Sequence, residues 1–179
     1  MSVTIQLLIL IPLYLALFLI AFYAAITGMA PMPSSKKSRD IIVSMIKEIG
    51  LKQGRIYELG AGYGTLAIAC AKTFPHMEIV AVELSPVIYF CLWIRKKLNR
   101  FDNLTLLRKN IFSVSLHDAS IVICYLFPKA MRRLNEGSFQ NLPQGAVIIS
   151  NSFSIPTRKA EQVIESNDLL KSDIMLYRH

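Results

Sequence analysis

The first 27 residues form an almost continuous apolar run, and the pattern changes sharply after it. Residues 5–27 are almost wholly apolar, and no Lys, Arg, Asp or Glu precedes Lys36. As a helix rising about 1.5 Å per residue, this run is about 34 Å long, enough for a hydrocarbon core of about 30 Å. The pattern predicts one membrane-spanning helix, in which Pro12 is tolerated.

A cleaved secretory signal peptide is the competing interpretation of this segment. Such a peptide has a positively charged start and a shorter apolar core of about 7–15 residues. The chain has neither, although Ala24, Ala25 and Ala30 are small enough to flank a cleavage site. A retained anchor is therefore favoured.

Strand-like and helix-like patterns alternate beyond the apolar run. Residues 31–35 predict a linker, Ser35 or Ser38 can cap a helix that ends at Gly50, and 157–165 fit either a strand or a helix. Strands are predicted at 55–59, 78–83, 104–109, 119–125, 145–150 and 172–178, and helices at 65–74, 86–98 and 129–136. This alternation predicts an α/β fold whose mostly parallel sheet carries helices on both faces.

The pattern divides the chain into three parts: an anchor at 1–30, a linker at 31–37 and a single α/β domain at 38–179. All 20 Lys and Arg and all 12 Asp and Glu follow residue 35, so the formal charge of +8 belongs to the domain side. This charge suits solubility, anionic lipid near the anchor or nucleic acid. Because the basic residues follow the span, the positive-inside rule places the domain in the cytoplasm or the mitochondrial matrix.

A glycine-rich turn follows the first predicted strand. Residues 58–64 read Glu-Leu-Gly-Ala-Gly-Tyr-Gly. Glycine removes the Cβ that would block a ligand and permits a positive φ, and the amides that open the next helix can face the ligand. A dinucleotide-binding fingerprint is G-x-G-x-x-G. The G-x-G-x-G spacing after an acidic residue is instead typical of methyltransferases that bind S-adenosylmethionine (SAM), although a tight loop without a ligand stays the alternative.

A second acidic residue follows the next strand. Glu83 lies about 20 residues past the glycines, where nucleotide-binding α/β folds bind ribose hydroxyls. Glu58 is expected beside the amino-acid end of the cofactor and Asn110 beside the adenine, and a solvated strand-end carboxylate is the alternative for either Glu. The predicted cofactor-binding residues are Glu58, Gly60, Ala61, Gly62, Tyr63, Gly64, Glu83, Leu84, Asn110 and Ile111.

Two aromatic residues follow the fourth predicted strand. Tyr125 and Phe127 are placed to line the channel of the methyl acceptor, because aromatic faces attract a cation within about 6 Å. Packing in the core is the alternative for each ring. Residues 150–156 supply polar groups at the same edge. Cys70, Cys91 and Cys124 lack the spacing of metal ligands and predict reduced core thiols, so no metal is expected.

These motifs carry a resemblance to a known family. The chain resembles the small membrane-anchored protein-lysine methyltransferases that modify the adenine nucleotide translocase and the ATP synthase c subunit in mitochondria, and it is closer to their bacterial relatives. The matching segments are 31–33, 58–64, 83–86, 125–128 and 150–156. The chain departs from the family at Glu58 and Tyr63, where Asp is frequent, and in a stretch after Phe153 with fewer acidic or aromatic residues.

The resemblance implies a Rossmann-like class I methyltransferase sheet preceded by a transmembrane helix. It also implies SAM as cofactor, bilayer contact through residues 5–27 and methyl transfer to a lysine of a membrane-associated protein. Two alternatives stay open: a methyltransferase acting on RNA, a lipid or a small molecule, and a non-catalytic assembly factor. Nucleic acid is the less favoured partner, because the sequence has no separate RNA-binding module and no Asn-Pro-Pro-Tyr run after strand four.

Overall fold

The predicted alternation of strands and helices is present in the structure, a computed structural model that describes residues 3–28, 34–167 and 172–179. The elements are α1 (Val3–Thr27), α2 (Lys36–Ile49), β1 (Arg55–Leu59), α3 (Thr65–Thr73), β2 (Glu78–Val82), α4 (Pro86–Asn99), β3 (Leu104–Leu107), β4 (Ile121–Cys124), α5 (Pro128–Glu136), β5 (Val147–Asn151), β6 (Gln162–Glu165) and β7 (Asp173–Arg178). The ambiguous segment 157–165 thus contains a strand. Residues 31–33 of the predicted linker, and Ala30 with them, lie outside the described residues.

All seven strands join one sheet in the order β3-β2-β1-β4-β5-β7-β6. The first five strands are parallel, and β7 runs antiparallel to both β5 and β6. The order reverses between β1 and β4, and open α/β sheets bind ligands in the crevice at such a switch point, outside the carboxyl ends of the strands. The predicted mostly parallel sheet of an α/β fold is therefore confirmed.

Helices cover both faces of the sheet, because alternate strand residues are apolar on each side. Ile56 of β1 belongs to a buried cluster with Ile42 of α2 and Leu66 of α3. Tyr57, the next residue, belongs to a cluster on the other face with Met131 of α5. Two faces of buried side chains hold β1 and its carboxyl end in a fixed position.

Helix α2 begins and ends where the sequence predicts. Ser35 is the N-cap, and its Oγ accepts a hydrogen bond from the backbone N–H of Ser38 at 3.0 Å. Gly50 ends the helix in the left-handed conformation, with φ of 72°. Such caps satisfy backbone groups that a helix end leaves unpaired.

Helix α1 is long and apolar enough to cross a membrane by length and composition, and an 18-residue window within Thr4–Thr27 has a mean hydropathy of 2.6. It packs against α4. A stripe of partly buried side chains at helical spacing faces the rest of the protein: Ala16, Leu19, Ile20, Tyr23, Ala24 and Thr27. Its other side chains with a described burial are exposed, so the described residues leave most of its apolar surface uncovered.

Candidate functional site

A cavity of about 830 Å³ opens at the carboxyl ends of β1, β2 and β4. Its size lies in the range of small-molecule and cofactor sites, about 300–1,000 Å³. Eleven of the twelve predicted site residues line it: Glu58, Gly60, Ala61, Gly62, Tyr63, Glu83, Leu84, Asn110, Ile111, Tyr125 and Phe127. The sequence thus predicted one common site from segments up to about 70 residues apart, since parallel strands end at the same edge of a sheet.

The glycine turn is held against β2 by its own backbone. The amides of Gly60 and Ala61 both donate to the carbonyl oxygen of Val82, at 3.0 and 2.8 Å. Gly60 has φ of 77° and Gly62 has φ of 56°, in the left-handed region that favours glycine. A Cβ on Gly62 would meet no atom of the described residues within 4 Å. The space beside Gly62 is therefore cavity, open to a ligand.

Gly64 is the predicted cofactor-binding residue that lies outside the cavity lining formed by the described residues. A Cβ on Gly64 would lie 2.0 Å from Cδ1 of Leu92, a buried residue of α4. Its φ of 71° also favours glycine. The third glycine of the turn is therefore explained by the close approach of the turn to Leu92 of α4.

The Glu83 carboxylate connects the two turns that follow β1 and β2. Its Oε2 accepts a hydrogen bond from the Gly62 amide at 2.9 Å, and its Oε1 accepts one from the Ser85 amide at 2.8 Å. A carboxylate offers about four lone-pair sites. Two acceptor positions are therefore left for a pair of hydroxyl groups, as the predicted ribose contact requires.

Glu58 is a buried acid at the floor of the cavity. Glu58 is only 8% exposed, and its Oε2 has no hydrogen-bond partner among the described residues. Burial raises the pKa of Glu58 to about 8; the neighbouring Glu83 charge also raises it, and a backbone hydrogen bond at Ala67 opposes the rise. A buried unpaired carboxyl oxygen is costly unless a ligand satisfies it.

Asn110 and Ile111 lie after β3, at the side of the cavity where adenine is expected. The Asn110 Oδ1 accepts a hydrogen bond from the Phe112 amide at 3.0 Å and caps the short 3₁₀ turn Ile111–Ser113. One lone pair of that oxygen is thus used by the protein itself. Ile111 is buried and offers an apolar surface to a planar base.

Three aromatic rings meet at the acceptor end of the cavity. The ring of Phe153 stacks on Tyr125, with centroids 6.2 Å apart, and meets Phe127 edge-on at 5.3 Å. Tyr125 is half-buried and Phe127 is exposed, so neither ring is part of the closed core. Phe153 was not among the predicted site residues, although it follows β5 at the same edge of the sheet.

The cavity lining also includes residues of α1 and α5, which were not predicted from the sequence. The last turn of α1, Tyr23–Thr27, lies at the cavity together with Lys129, Arg132 and Arg133 of α5. The Arg133 guanidinium lies 4.0 Å from the ring centroid of Phe112. The sequence shows that α5 is basic, but it does not show that these side chains face the cavity.

The residues present fit SAM. Its ribose hydroxyls match the free acceptor positions of Glu83, and its ammonium group matches the Glu58 oxygen that has no partner among the described residues. The open space beside Gly62 allows the cofactor to lie close to the backbone of the turn. Helix α3 begins directly after the turn, so its first amides point toward this end of the cavity.

Comparison with known proteins agrees with this arrangement. A family model described as the ANTKMT methyltransferase domain matches residues 58–162. A protein-lysine N-methyltransferase of Saccharolobus islandicus (strain REY15A) is 26% identical over 114 residues, covering 63% of this chain and 71% of that protein.

Solved structures share the fold. An RNA methyltransferase from Salinibacter ruber in complex with S-adenosyl-L-homocysteine superposes with a TM-score of 0.69 at 21% identity, covering 82% of this chain and 93% of that one. A putative methyltransferase from Escherichia coli has a TM-score of 0.63 at 13% identity, covering 83% and 88%.

Proposed function

This chain belongs to the ANTKMT methyltransferase family and is a SAM-dependent methyltransferase, and we propose that it is anchored in a membrane and methylates a lysine of a membrane-associated protein. The single observation that carries the methyltransferase assignment is the family match over residues 58–162, which spans the glycine turn and the aromatic acceptor end. The apolar helix α1 supports the anchor. The protein-lysine N-methyltransferase of Saccharolobus islandicus supports lysine as the acceptor.

Residues at the carboxyl ends of β1 and β2 would hold and orient the cofactor, which would supply an electrophilic methyl group on its sulfonium. Glu83 would accept hydrogen bonds from the ribose hydroxyls, and it fixes the Gly62 turn through the 2.9 Å hydrogen bond. Glu58, whose Oε2 has no partner among the described residues, would accept one from the ammonium group. These contacts leave the open, aromatic end of the cavity to the acceptor.

The aromatic end positions a neutral amine. Phe127, Tyr125 and Phe153 form a partly water-excluding wall whose ring faces stabilise the positive charge that develops on the amine nitrogen, by about 0.5–2 kcal/mol for a well-placed ring. Most of the rate then comes from alignment of the nucleophile with the methyl group. No side chain is required as a general base, because water can take the proton.

The anchor raises the local concentration of a membrane-protein substrate. We assign residues 1–30 to the anchor, 31–37 to the linker and 38–179 to the catalytic domain, which faces the cytoplasm or the matrix by the charge rule. When enzyme and substrate share one membrane, each has a higher effective concentration for the other than in solution. The last turn of α1 lies at the cavity itself, which supports entry of the acceptor from the membrane side.

Transfer of radiolabelled methyl groups from SAM tests the proposal. Membranes from a strain that lacks this protein are incubated with the wild-type full chain, with Gly62→Arg or with Gly145→Arg. Gly145 is a matched control, because it also has a positive φ and open space around its missing Cβ but lies outside the cavity lining of the described residues.

We expect label in a protein band, on methyl-lysine by mass spectrometry, with wild type and Gly145→Arg and not with Gly62→Arg. RNA is the second candidate acceptor, because Lys129, Arg132 and Arg133 give the cavity rim a positive charge. Label found in RNA or lipid alone would overturn the lysine assignment.

A further inference from the structure

Helix α4 presents an apolar face to the outside of the protein. Phe90, Trp93, Ile94 and Leu98 follow helical spacing and are 57%, 42%, 38% and 77% exposed. The rings of Phe90 and Trp93 stack with centroids 5.8 Å apart. A surface helix of a globular protein is usually polar on its outer face. A contiguous exposed apolar patch marks a surface that contacts another molecule or a membrane.

The same helix is strongly basic toward its end. Arg95, Lys96 and Lys97 are consecutive, Arg100 caps the helix, and the α4 sequence contains no Asp or Glu. The Lys97 Nζ lies 5.8 Å from the Trp93 ring centroid, within the apolar face. Bulky aromatic and aliphatic residues next to Lys and Arg are the composition of helices that lie in the interface of an anionic bilayer.

The position of α4 beside α1 selects the bilayer as the occupant. α1, the candidate membrane span, packs against α4, and the partly buried side chains of α1 all lie in its C-terminal half. In the proposed topology the end of α1 nearest the domain approaches the headgroups, and α4 belongs to that domain. A second copy of the chain would instead bring the cations of α4 close to those of its partner, which is unfavourable.

We propose that the outer face of α4, formed by Phe90, Trp93, Ile94 and Leu98 with Lys97, inserts into the headgroup region of an anionic bilayer beside α1. The proposal rests on the membrane anchor of the proposed function. It makes α4 a second membrane contact that fixes the orientation of the catalytic domain. The cavity, whose lining includes the last turn of α1, then opens at the membrane surface rather than toward bulk solvent.

Trp93 reports this contact directly, because it is the single tryptophan of the chain. The full chain is reconstituted into phosphatidylcholine vesicles with or without phosphatidylglycerol, and into matching vesicles with brominated acyl chains, which quench tryptophan on contact. We expect a blue-shifted emission and strong quenching by the brominated lipid, both larger with phosphatidylglycerol. Lys96→Gln with Lys97→Gln should remove most of the difference between the two lipid compositions.

A double variant separates the α4 contact from the anchor. Phe90→Ser with Leu98→Ser should lose most of the quenching, whereas Val163→Ser, a similarly exposed apolar residue on β6, should retain it. The double variant and Val163→Ser should both resist alkaline extraction as the wild type does, because each retains the anchor. Circular dichroism confirms that each variant is folded.

Several results would overturn the inference. Unquenched Trp93 in a chain that resists alkaline extraction leaves the anchor standing and removes α4 from the membrane. Unquenched Trp93 in a chain that alkaline treatment extracts would contradict both the anchor and the α4 contact. A blue shift that grows with protein concentration in detergent, without quenching by brominated lipid, assigns the face to a second copy. Methyl transfer to a soluble lysine peptide, measured separately, reports on the catalytic function in each case.

Discussion

The Oε2 atom of Glu83 accepts a hydrogen bond from the Gly62 amide at 2.9 Å and so ties the end of β2 to the glycine turn after β1. The second oxygen of the same carboxylate holds the Ser85 amide. The side chain that is placed to bind the ribose therefore also shapes the turn that a ligand must approach. Such preorganisation lowers the entropy cost of binding.

Glu83→Gln should weaken SAM binding about 10- to 100-fold, because one of the two amide donors then faces an NH₂ group instead of an oxygen. Hydrogen bonds to a charged group contribute about 1.5–3 kcal/mol. Isothermal titration calorimetry measures the change. Glu78→Gln is the matched control at the other end of β2, where Glu78 pairs with Arg55 at the surface, and it should leave the affinity unchanged. Equal losses in both variants would contradict the role of Glu83.

Glu58 should make SAM binding depend on pH. Because its pKa is raised to about 8, the carboxyl group of the unliganded protein holds its proton below that pH. The ammonium group of SAM favours the carboxylate, so binding releases a proton. The affinity should therefore increase as the pH rises from 6 toward 8, by up to about tenfold per unit, and decrease again above about 8, where the amino group of SAM loses its own proton.

Calorimetry in buffers of different ionisation enthalpy counts the released protons and checks this prediction. Glu58→Gln should bind SAM with an affinity that changes little over the same pH range and should release no proton at this site. A wild-type affinity that is constant between pH 6 and 8 would show that Glu58 stays ionised or does not meet the cofactor.

Phe153 should act on the acceptor and not on the cofactor. Phe153→Leu removes the ring that stacks on Tyr125 and meets Phe127, and kcat/KM for the lysine substrate should fall about 2- to 30-fold. The Kd of SAM should be unchanged. Phe101→Leu, a partly buried phenylalanine outside the cavity lining, serves as the control. A parallel rise in the Kd of SAM would place Phe153 in the cofactor site instead.

Gly64→Ala should reduce stability through packing. The new Cβ would lie 2.0 Å from Leu92 Cδ1, and overpacking of this kind costs about 1–3 kcal/mol. Leu92→Ala in the same chain should recover part of the loss, which thermal unfolding of the two single variants and the double variant would measure as a coupling energy. Strictly additive losses would show that the left-handed backbone, with φ of 71°, causes the effect alone.

The sequence predicts those features that depend on neighbouring positions in the chain. The alternation of apolar runs gave the sheet, and because parallel strands share an edge, Glu58, Glu83 and Tyr125 could be brought to one site. Residues 150–156 were placed at the same edge, but the ring of Phe153 was not singled out, because the chain bends at Ser152 with a φ of 70° that no local pattern predicts. The packing role of Gly64 depends on Leu92 of another helix.

The orientation of helices was equally inaccessible from the sequence. The apolar residues of α4 are split between a buried face, with Leu92, and an exposed face, with Trp93, and hydropathy alone does not separate them. The approach of Tyr23 and Arg133 to the cavity depends on how α1 and α5 pack. Asn110 was expected to face adenine. In the structure its Oδ1 accepts a hydrogen bond from the Phe112 amide, so backbone and ligand compete for the same oxygen, which the sequence does not reveal.

Calorimetric titration of SAM into the full-length protein in detergent tests the central claim most directly, since the glycine turn and its two acids must form the cofactor site. We expect one SAM to bind per chain in the wild type and in Gly145→Arg, and no binding in Gly62→Arg, whose side chain would fill the open space beside the turn. A wild-type chain that is folded and does not bind SAM at high micromolar concentration would contradict the claim, as would binding to Gly62→Arg with wild-type affinity.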